Sequence, residues 1–313
     1  MNKILVTGGA GFIASSLAEK LIERDDNFVV IVDNLSTGRI EKLPSAKYKN
    51  WKFIKCDVNN YNDIAEVMLA WEFDYVFHYA AVVGVQRTLN NPVLVLRDLH
   101  GIENILKLSK NIGVKRVFYS SSSEVYGEPV EFPQNESTTP LNSRLPYAIV
   151  KNAGEAFIKA YQKEFGLDFT IFRLFNTYGP KQSADFVISR YISLATQNQP
   201  ITVYGDGSQS RTFCYIDDNI DAVYNAFTTS KFTNDILNIG TDYEIPILDL
   251  AKTIIKLSKS KSKIVFKPPL EEGDMTRRLP DVTKMHELLI RKPLMLEEGL
   301  KKVLENPLFM SIK

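Results

Sequence analysis

Short apolar runs alternate with stretches of helical spacing from the first residues to the middle of the chain. KILVT at 3–7 reads as a strand, and a helical pattern follows to about residue 24 with Ile13, Leu17 and Leu21 on one face. Residues 28–32 form a second apolar strand ending on Asp33, and WKFIKC at 51–56 a third ending on Asp57 and Val58. Residues 62–71 read as a helix and DYVFHYAA at 74–81 as a buried strand. A long helix opened by Pro92 runs to about residue 112, and VKRVFYS at 114–120 is the next strand. A helix over 145–165 and the strand LDFTIFRLF at 167–175 close the series. This alternation predicts an α/β fold, a Rossmann-type doubly wound parallel sheet over 1–175. Beyond residue 176 the elements shorten. Residues 176–313 are expected to form mainly a smaller α/β substrate-binding lobe, not independently folded, with part of 206–240 returning to the sheet. Within it, KLSKSKSK at 256–263 reads as a solvated turn and LEEGLKKVLE from Leu296 as an amphipathic helix.

The first turn carries chemistry. Gly8-Gly9-Ala10-Gly11 lies between strand and helix, with Phe12 and Ile13 opening the helix. Gly8 permits a tight turn, Gly11 lets backbone approach a pyrophosphate, and Ala14 allows close helix packing. The helix N-terminus offers N–H groups and a positive dipole end to phosphate. Asp33, followed by Asn34, stands where an acid accepts hydrogen bonds from an adenosine ribose. It would repel a 2′-phosphate, so NAD is expected rather than NADP. Asp57 and Val58 fall near the adenine edge. The small residues around Ala80 either admit the cofactor closely or serve packing.

The second stretch runs from Ser122 to Lys151. Tyr147 and Lys151 are four residues apart, on one helix face. A free phenol titrates near pH ~10 and is a poor base at neutrality. A nearby ammonium lowers that value, as would a cationic nicotinamide. Ser122, just past the run Val117-Phe118-Tyr119, can hold a substrate hydroxyl. Together the three can take a proton from an alcohol while a hydride leaves its carbon. The same Tyr/Lys spacing is common on surface helices, so the reading depends on its context.

Composition excludes several classes. With 38 basic and 37 acidic residues, net charge +1 gives no electrostatic case for nucleic acid or an anionic membrane as the main partner. Cys56 and Cys214 lie in apolar contexts that predict buried thiols, and with His78, His100 and His286 they build no metal site. The chain starts directly in a strand pattern, and no apolar run approaches the ~20 residues of a membrane span, so a cytoplasmic location is expected.

Motifs along nearly the whole chain resemble those of extended short-chain dehydrogenases/reductases of the nucleotide-sugar epimerase/dehydratase family. They are TGGAGFIA at 7–14, DNLSTG at 33–38, HYAA at 78–81, SSSEVYG at 121–127, YAIVKNAGE at 147–155, RLFNTYGP at 173–180 and VYGDGSQSRTFCYIDD at 203–218. The resemblance implies oxidation at C4 of a nucleotide-diphosphate sugar by tightly held NAD, and a homodimer formed through helices 92–112 and 147–165. It makes Ser122, Tyr147 and Lys151 catalytic, with Lys151 also on the nicotinamide ribose, and places Asn176 and Arg211 at the substrate diphosphate.

Departures from the family pattern bear on the net reaction. Asp98 stands in place of a usual Asn, and Val150 in place of a common Ser. Glu271 occupies a position where UDP-sugar 4-epimerases carry a phosphate-binding Arg, so Arg277 or Arg278 must substitute or the substrate sits differently. Ser123-Glu124 resembles GDP-mannose-type dehydratases and UDP-glucuronate decarboxylases; the latter also carry an Arg matching Arg278 in Arg278-Leu279-Pro280. Ser123 and Arg278 are expected to touch substrate. Glu124 is a base at C5, a substrate hydrogen-bonder or a structural residue. The expected function is nucleotide-sugar C4 oxidation, with net dehydrogenation or 4-epimerisation. A 4,6-dehydratase or uronate decarboxylase is the alternative, and a non-catalytic NAD sensor the alternative of another class.

Overall fold

Runs of Val, Ile, Leu and Phe, buried on both sides, build a parallel sheet of seven strands. The computed structural model describes residues 1–269 and 277–311. Its first six strands are β1 (Asn2–Thr7), β2 (Asn27–Asp33), β3 (Trp51–Lys55), β4 (Tyr75–His78), β5 (Arg116–Ser122) and β6 (Asp168–Leu174). The seventh, Asp235–Ile239, pairs with β6 at the edge. From that edge the order is Asp235–Ile239, β6, β5, β4, β1, β2, β3. The chain thus leaves β1 in one direction and returns to β4 on its other side. A crevice opens where these two carboxyl ends diverge. Thr7 is in register with both Val32 and His78, so three strand ends stand level at that crevice.

Among the helices of the first half are α1 (Phe12–Ile22), α2 (Tyr61–Trp71), α3 (Val85–Asn90), α4 (Pro92–Leu96), α5 (Asp98–Ile112) and α6 (Pro146–Phe165). Met68, Ile105 and Ile158 bring α2, α5 and α6 onto one face of the sheet. On the other face α1 packs beside helix Ile216–Thr229. Its core there is continuous with the C-terminal half: Ile4, Leu17 and Val223 belong to the same apolar cluster as Leu250 and Leu300. No helix among the described residues is long and apolar enough to cross a membrane.

Three local readings change. The helix expected over 92–112 is broken at Arg97, where the His100 N–H reaches only three residues back, to the Arg97 carbonyl. α3 precedes it, entered through Gly84 at φ 103, a value that suits glycine. β5 extends through Ser121 and Ser122, which pair with Arg173 and Leu174, so polar residues continue the strand into the site.

α6 can lie close to β5 because Gly154 has no side chain. A Cβ there would meet the phenol of Tyr119, standing 2.7 Å from its Cζ and 3.0 Å from Ile102 Cδ1. Alanine favours a helix over glycine by about 1 kcal/mol. Gly154→Ala should nevertheless destabilise the fold, by about 1–3 kcal/mol of overpacking. Urea unfolding checks this; a stabilised variant would show that α6 has room to move.

Candidate active site

One threonine ties the strand ends together at the crevice. Thr7 Oγ1 accepts the backbone N–H groups of Tyr79 and Ala80, each at 3.1 Å, and lies 2.8 Å from His78 Nδ1. Having spent its acceptor capacity, the hydroxyl donates to Nδ1. Burial drops the His78 imidazole to about 3, with Lys151 pushing the same way, so the ring is neutral. This clamp draws the end of β4 against the glycine turn. A Cβ on Gly8, whose φ is 66, would lie 2.8 Å from Ala80 Cα. No side chain caps α1 at Gly11, leaving its first N–H groups to an anion. A side chain at Gly8 would therefore collide with Ala80, and the glycine cradle with its free helix N–H groups fits a pyrophosphate.

A cavity of about 630 Å³ runs from this cradle. It is lined by Gly8, Gly11, Phe12, Ile13, Asp33, Asn34, Asp57, Val58 and Ala80 at one end, and by Ser122, Ser123, Glu124, Tyr147, Lys151, Asn176 and Arg278 at the other. At the first end Asp33 accepts the N–H groups of Ala10 (3.0 Å) and Leu35 (2.7 Å). Burial nevertheless pushes its carboxyl above the usual range. Each oxygen keeps a lone pair for a ribose hydroxyl. Asn34 donates to Asp57 at 3.3 Å, tying the ends of β2 and β3 together. Donors at the helix end and acceptors 20 or so residues on are the set that a dinucleotide such as NAD requires.

At the other end α6 presents Tyr147 and Lys151 on its inner face. Lys151 is 3% exposed and donates to the Ser120 carbonyl at 2.6 Å. Burial brings its ammonium down to about 8, and Asp98 opposes that fall. The Lys151 nitrogen lies 5.8 Å from the Tyr147 ring centroid. Burial raises the Tyr147 phenol, and a hydrogen bond with Ser122 only partly counters it. This corrects the expectation of a phenol already lowered by its lysine. In the protein alone desolvation wins.

Arg278 forks onto Glu124 with two 2.7 Å hydrogen bonds and donates to Ser123 Oγ at 3.1 Å. Burial pushes the Glu124 carboxyl up, but the guanidinium prevails and holds it below its usual range. Asn176 turns the chain at φ 26 and donates to the Thr212 carbonyl at 3.1 Å. Arg211 is the one expected residue outside the cavity lining; its Nη1 donates to the Ser210 carbonyl at 2.7 Å and its charge reaches Glu124. Arg277 is drawn away onto Glu244, at 2.6–3.0 Å. Of the two candidate arginines, Arg278 lines the cavity and Arg277 does not. Glu271, Gly273 and Asp274 lie outside the described residues. Sequence reasoning did not assign Thr7, His78 or Asp98 to the site; a buried threonine at the end of a strand was the available signal for the first.

The description of the NAD dependent epimerase/dehydratase family matches residues 4–240. A UDP-N-acetyl-alpha-D-glucosaminuronate decarboxylase of Bacillus cytotoxicus is 36% identical, over 97% of this chain and 97% of that protein. The crystal structure of the UDP-glucose 4-epimerase of Thermotoga maritima with UDP-glucose superposes with a TM-score of 0.91 at 32% identity, covering 99% of each chain. That of the Thermus thermophilus UDP-glucose 4-epimerase with NAD gives 0.89 at 26% identity, covering 99% of this chain and all of the other. The chain therefore belongs to the NAD-dependent epimerase/dehydratase family, enzymes of the extended short-chain dehydrogenase/reductase type.

Proposed function

We propose that the enzyme oxidises C4 of a UDP-linked sugar and either returns the hydride in the same cavity, giving 4-epimerisation, or releases the ketone and keeps the hydride as NADH for an outside acceptor, giving net dehydrogenation. One observation carries this reading: Ser122, Tyr147 and Lys151 converge in the cavity whose far end is the glycine cradle and Asp33. Ser122 orients the C4 hydroxyl, and Tyr147 takes its proton. Lys151, fixed on the Ser120 carbonyl, stabilises the phenolate and turns its remaining donors to the nicotinamide ribose. NAD, when held by the glycine cradle and Asp33, would supply the hydride acceptor and a positive charge that favours the phenolate. Asn176 and Arg211 are read as diphosphate contacts and Ser123 as a sugar contact. The uridine nucleotides of the relatives support UDP.

The Glu124–Arg278 pair favours a second reading, decarboxylation of a UDP-hexuronate. Once C4 is a ketone, a C5 carboxylate is a β-keto acid. It can leave as CO2 while its electron pair passes into a C4 enolate, with no base needed at C5. A carboxylate held low by its arginine is a weak base. Dehydration, which must remove the C5 proton, is therefore the outcome this site supports least. Exposed Ile149 and Phe157 on α6, with Val93, Leu94 and Leu96 on α4, support a homodimer through these helices. We read its location as cytoplasmic.

Tyr147→Phe should lower sugar turnover by about 10²–10⁴-fold, the usual worth of a positioned acid–base group, with NAD binding intact. Single-turnover NADH absorbance checks this, and an unchanged rate would sink the assignment. Product NMR with UDP-glucose, UDP-N-acetylglucosamine and UDP-glucuronate separates the two readings. Interconverting C4 epimers support the first. A UDP-pentose with released CO2, from the uronate alone, would replace it with the second.

A further inference from the structure

Asp98 opens α5 inside the cavity, 7% exposed, and its surroundings fix both its oxygens as acceptors. Oδ2 takes the backbone N–H of Val82 at 2.7 Å, a group that can only donate. Oδ1 takes the Asn59 amide nitrogen at 3.2 Å. That amide cannot be reversed, because its oxygen accepts the Gly101 N–H at 3.0 Å. With a donor facing each oxygen, the surroundings match an ionised carboxylate, which only accepts. An amide at this position would set its NH₂ group against a donor. The hydrogen-bond pattern therefore places a buried negative charge in the catalytic cavity, although burial pushes the Asp98 carboxyl upward.

α5 packs against α6, which carries Lys151. Among the described residues no carboxylate forms a salt bridge with that ammonium; its contacts are the Ser120 carbonyl and the rings of Tyr119 and Tyr147, with centroids 4.9 and 5.8 Å away. The other ionisable groups around the two are Asp57 after β3, neutral His78 on β4, Tyr119 on β5, Glu155 one turn further along α6 and bound to Arg173, and Glu124 already paired with Arg278. Asp98 is the carboxylate whose field acts on Lys151. We propose that Asp98 is a positioning residue that keeps Lys151 an ammonium through its buried charge, and so sets the pH window in which the Tyr147–Lys151 pair works.

A negative charge favours the protonated form of each group near it. Removing it lowers the titration of Lys151 and also of Tyr147, where Asp98 adds to the larger effect of burial. Both limbs of a bell-shaped profile should then move to lower pH. Two variants separate charge from hydrogen bonding. Asp98→Asn removes the charge and breaks the donor–acceptor match. Asp98→Asn/Asn59→Asp restores the match with its polarity reversed: the amide at 98 accepts from Val82 and donates to the carboxylate at 59, whose other oxygen accepts from Gly101. The charge is thereby moved to the α2 side of α5, away from α6, since α5 packs between those helices.

The primary readout is the Lys151 titration in the NAD-bound enzyme, followed by ¹³Cε-lysine NMR and assigned with Lys151→Arg. The pH profile of kcat/KM is the second. The inference rests on the C4 oxidoreductase reading for its meaning, but the NMR titration needs no turnover, so the two can fail separately. Lys151 should titrate at lower pH than wild type in both variants, with the rate profile displaced the same way. A double variant whose Lys151 titrates as in wild type would overturn the inference, leaving Asp98 only a hydrogen-bonding role. If the single variant does not fold, the double variant alone decides.

Discussion

The ion pair between Arg173 and Glu155 fixes the orientation of the face of α6 that carries Tyr147 and Lys151. It is bidentate, at 2.9 and 2.7 Å, and its side chains are 2% and 1% exposed. Tyr147, Lys151 and Glu155 succeed one another at intervals of four along one face of α6. A helix pinned at Glu155 cannot rotate without moving both catalytic groups. Losing one partner of such a buried pair costs about 3–5 kcal/mol, because a desolvated charge is left behind. Ser121 adds a 2.6 Å hydrogen bond from the adjacent strand to the same carboxylate. Strand β5 and helix α6, which supply Ser122 and Tyr147, are thereby locked to each other.

From Arg173 the constraint continues toward Arg278. Arg173 Nη1 donates to Tyr126 Oη at 2.9 Å, and that hydroxyl donates to Asn238 Oδ1 at 2.7 Å. The Asn238 amide in turn donates to the carbonyls of Gln134 and Asp281, at 2.8 and 3.1 Å. Gln134 bonds the Leu279 carbonyl and the Asp281 N–H across a single bridge. The short segment holding Arg278 is thus stitched to the edge strand, and its guanidinium arrives at Glu124 with little freedom left. Polar groups fixed in this way need little reorganisation when charge develops on a substrate, which is where electrostatic catalysis gains most.

The sheet and the cofactor end were legible in the sequence because their determinants are local. Apolar runs, a glycine turn and an acid at a strand end each declare themselves within a few residues, and the Tyr147–Lys151 pair within one helical turn. Non-local pairings were not legible. Nothing near Arg173 names Glu155 as its partner, nor does anything near Glu124 name Arg278, 154 residues away. Arg211 illustrates the converse: a motif gave its neighbourhood, but its strand pairs with Glu244–Pro246 and keeps it off the cavity wall. The phenol expectation failed for a related reason. Spacing reports that an ammonium is near, whereas burial, the largest influence on the phenol, depends on the whole fold.

This division between local and distant determinants follows the chemistry of the two half-reactions. C4 oxidation needs a cradle, a serine and a helix face, all drawn from the first half of the chain. On the proposed reading, what becomes of the ketone depends on Glu124, whose carboxylate is held by an arginine from the far end. A free carboxylate there could remove a proton. A carboxylate neutralised by a two-pronged guanidinium instead presents a nearly cancelled charge and a low basicity. The same sheet can therefore host several net reactions, and on the proposed reading the pairing of Arg278 with Glu124 weighs against those that need a base at C5.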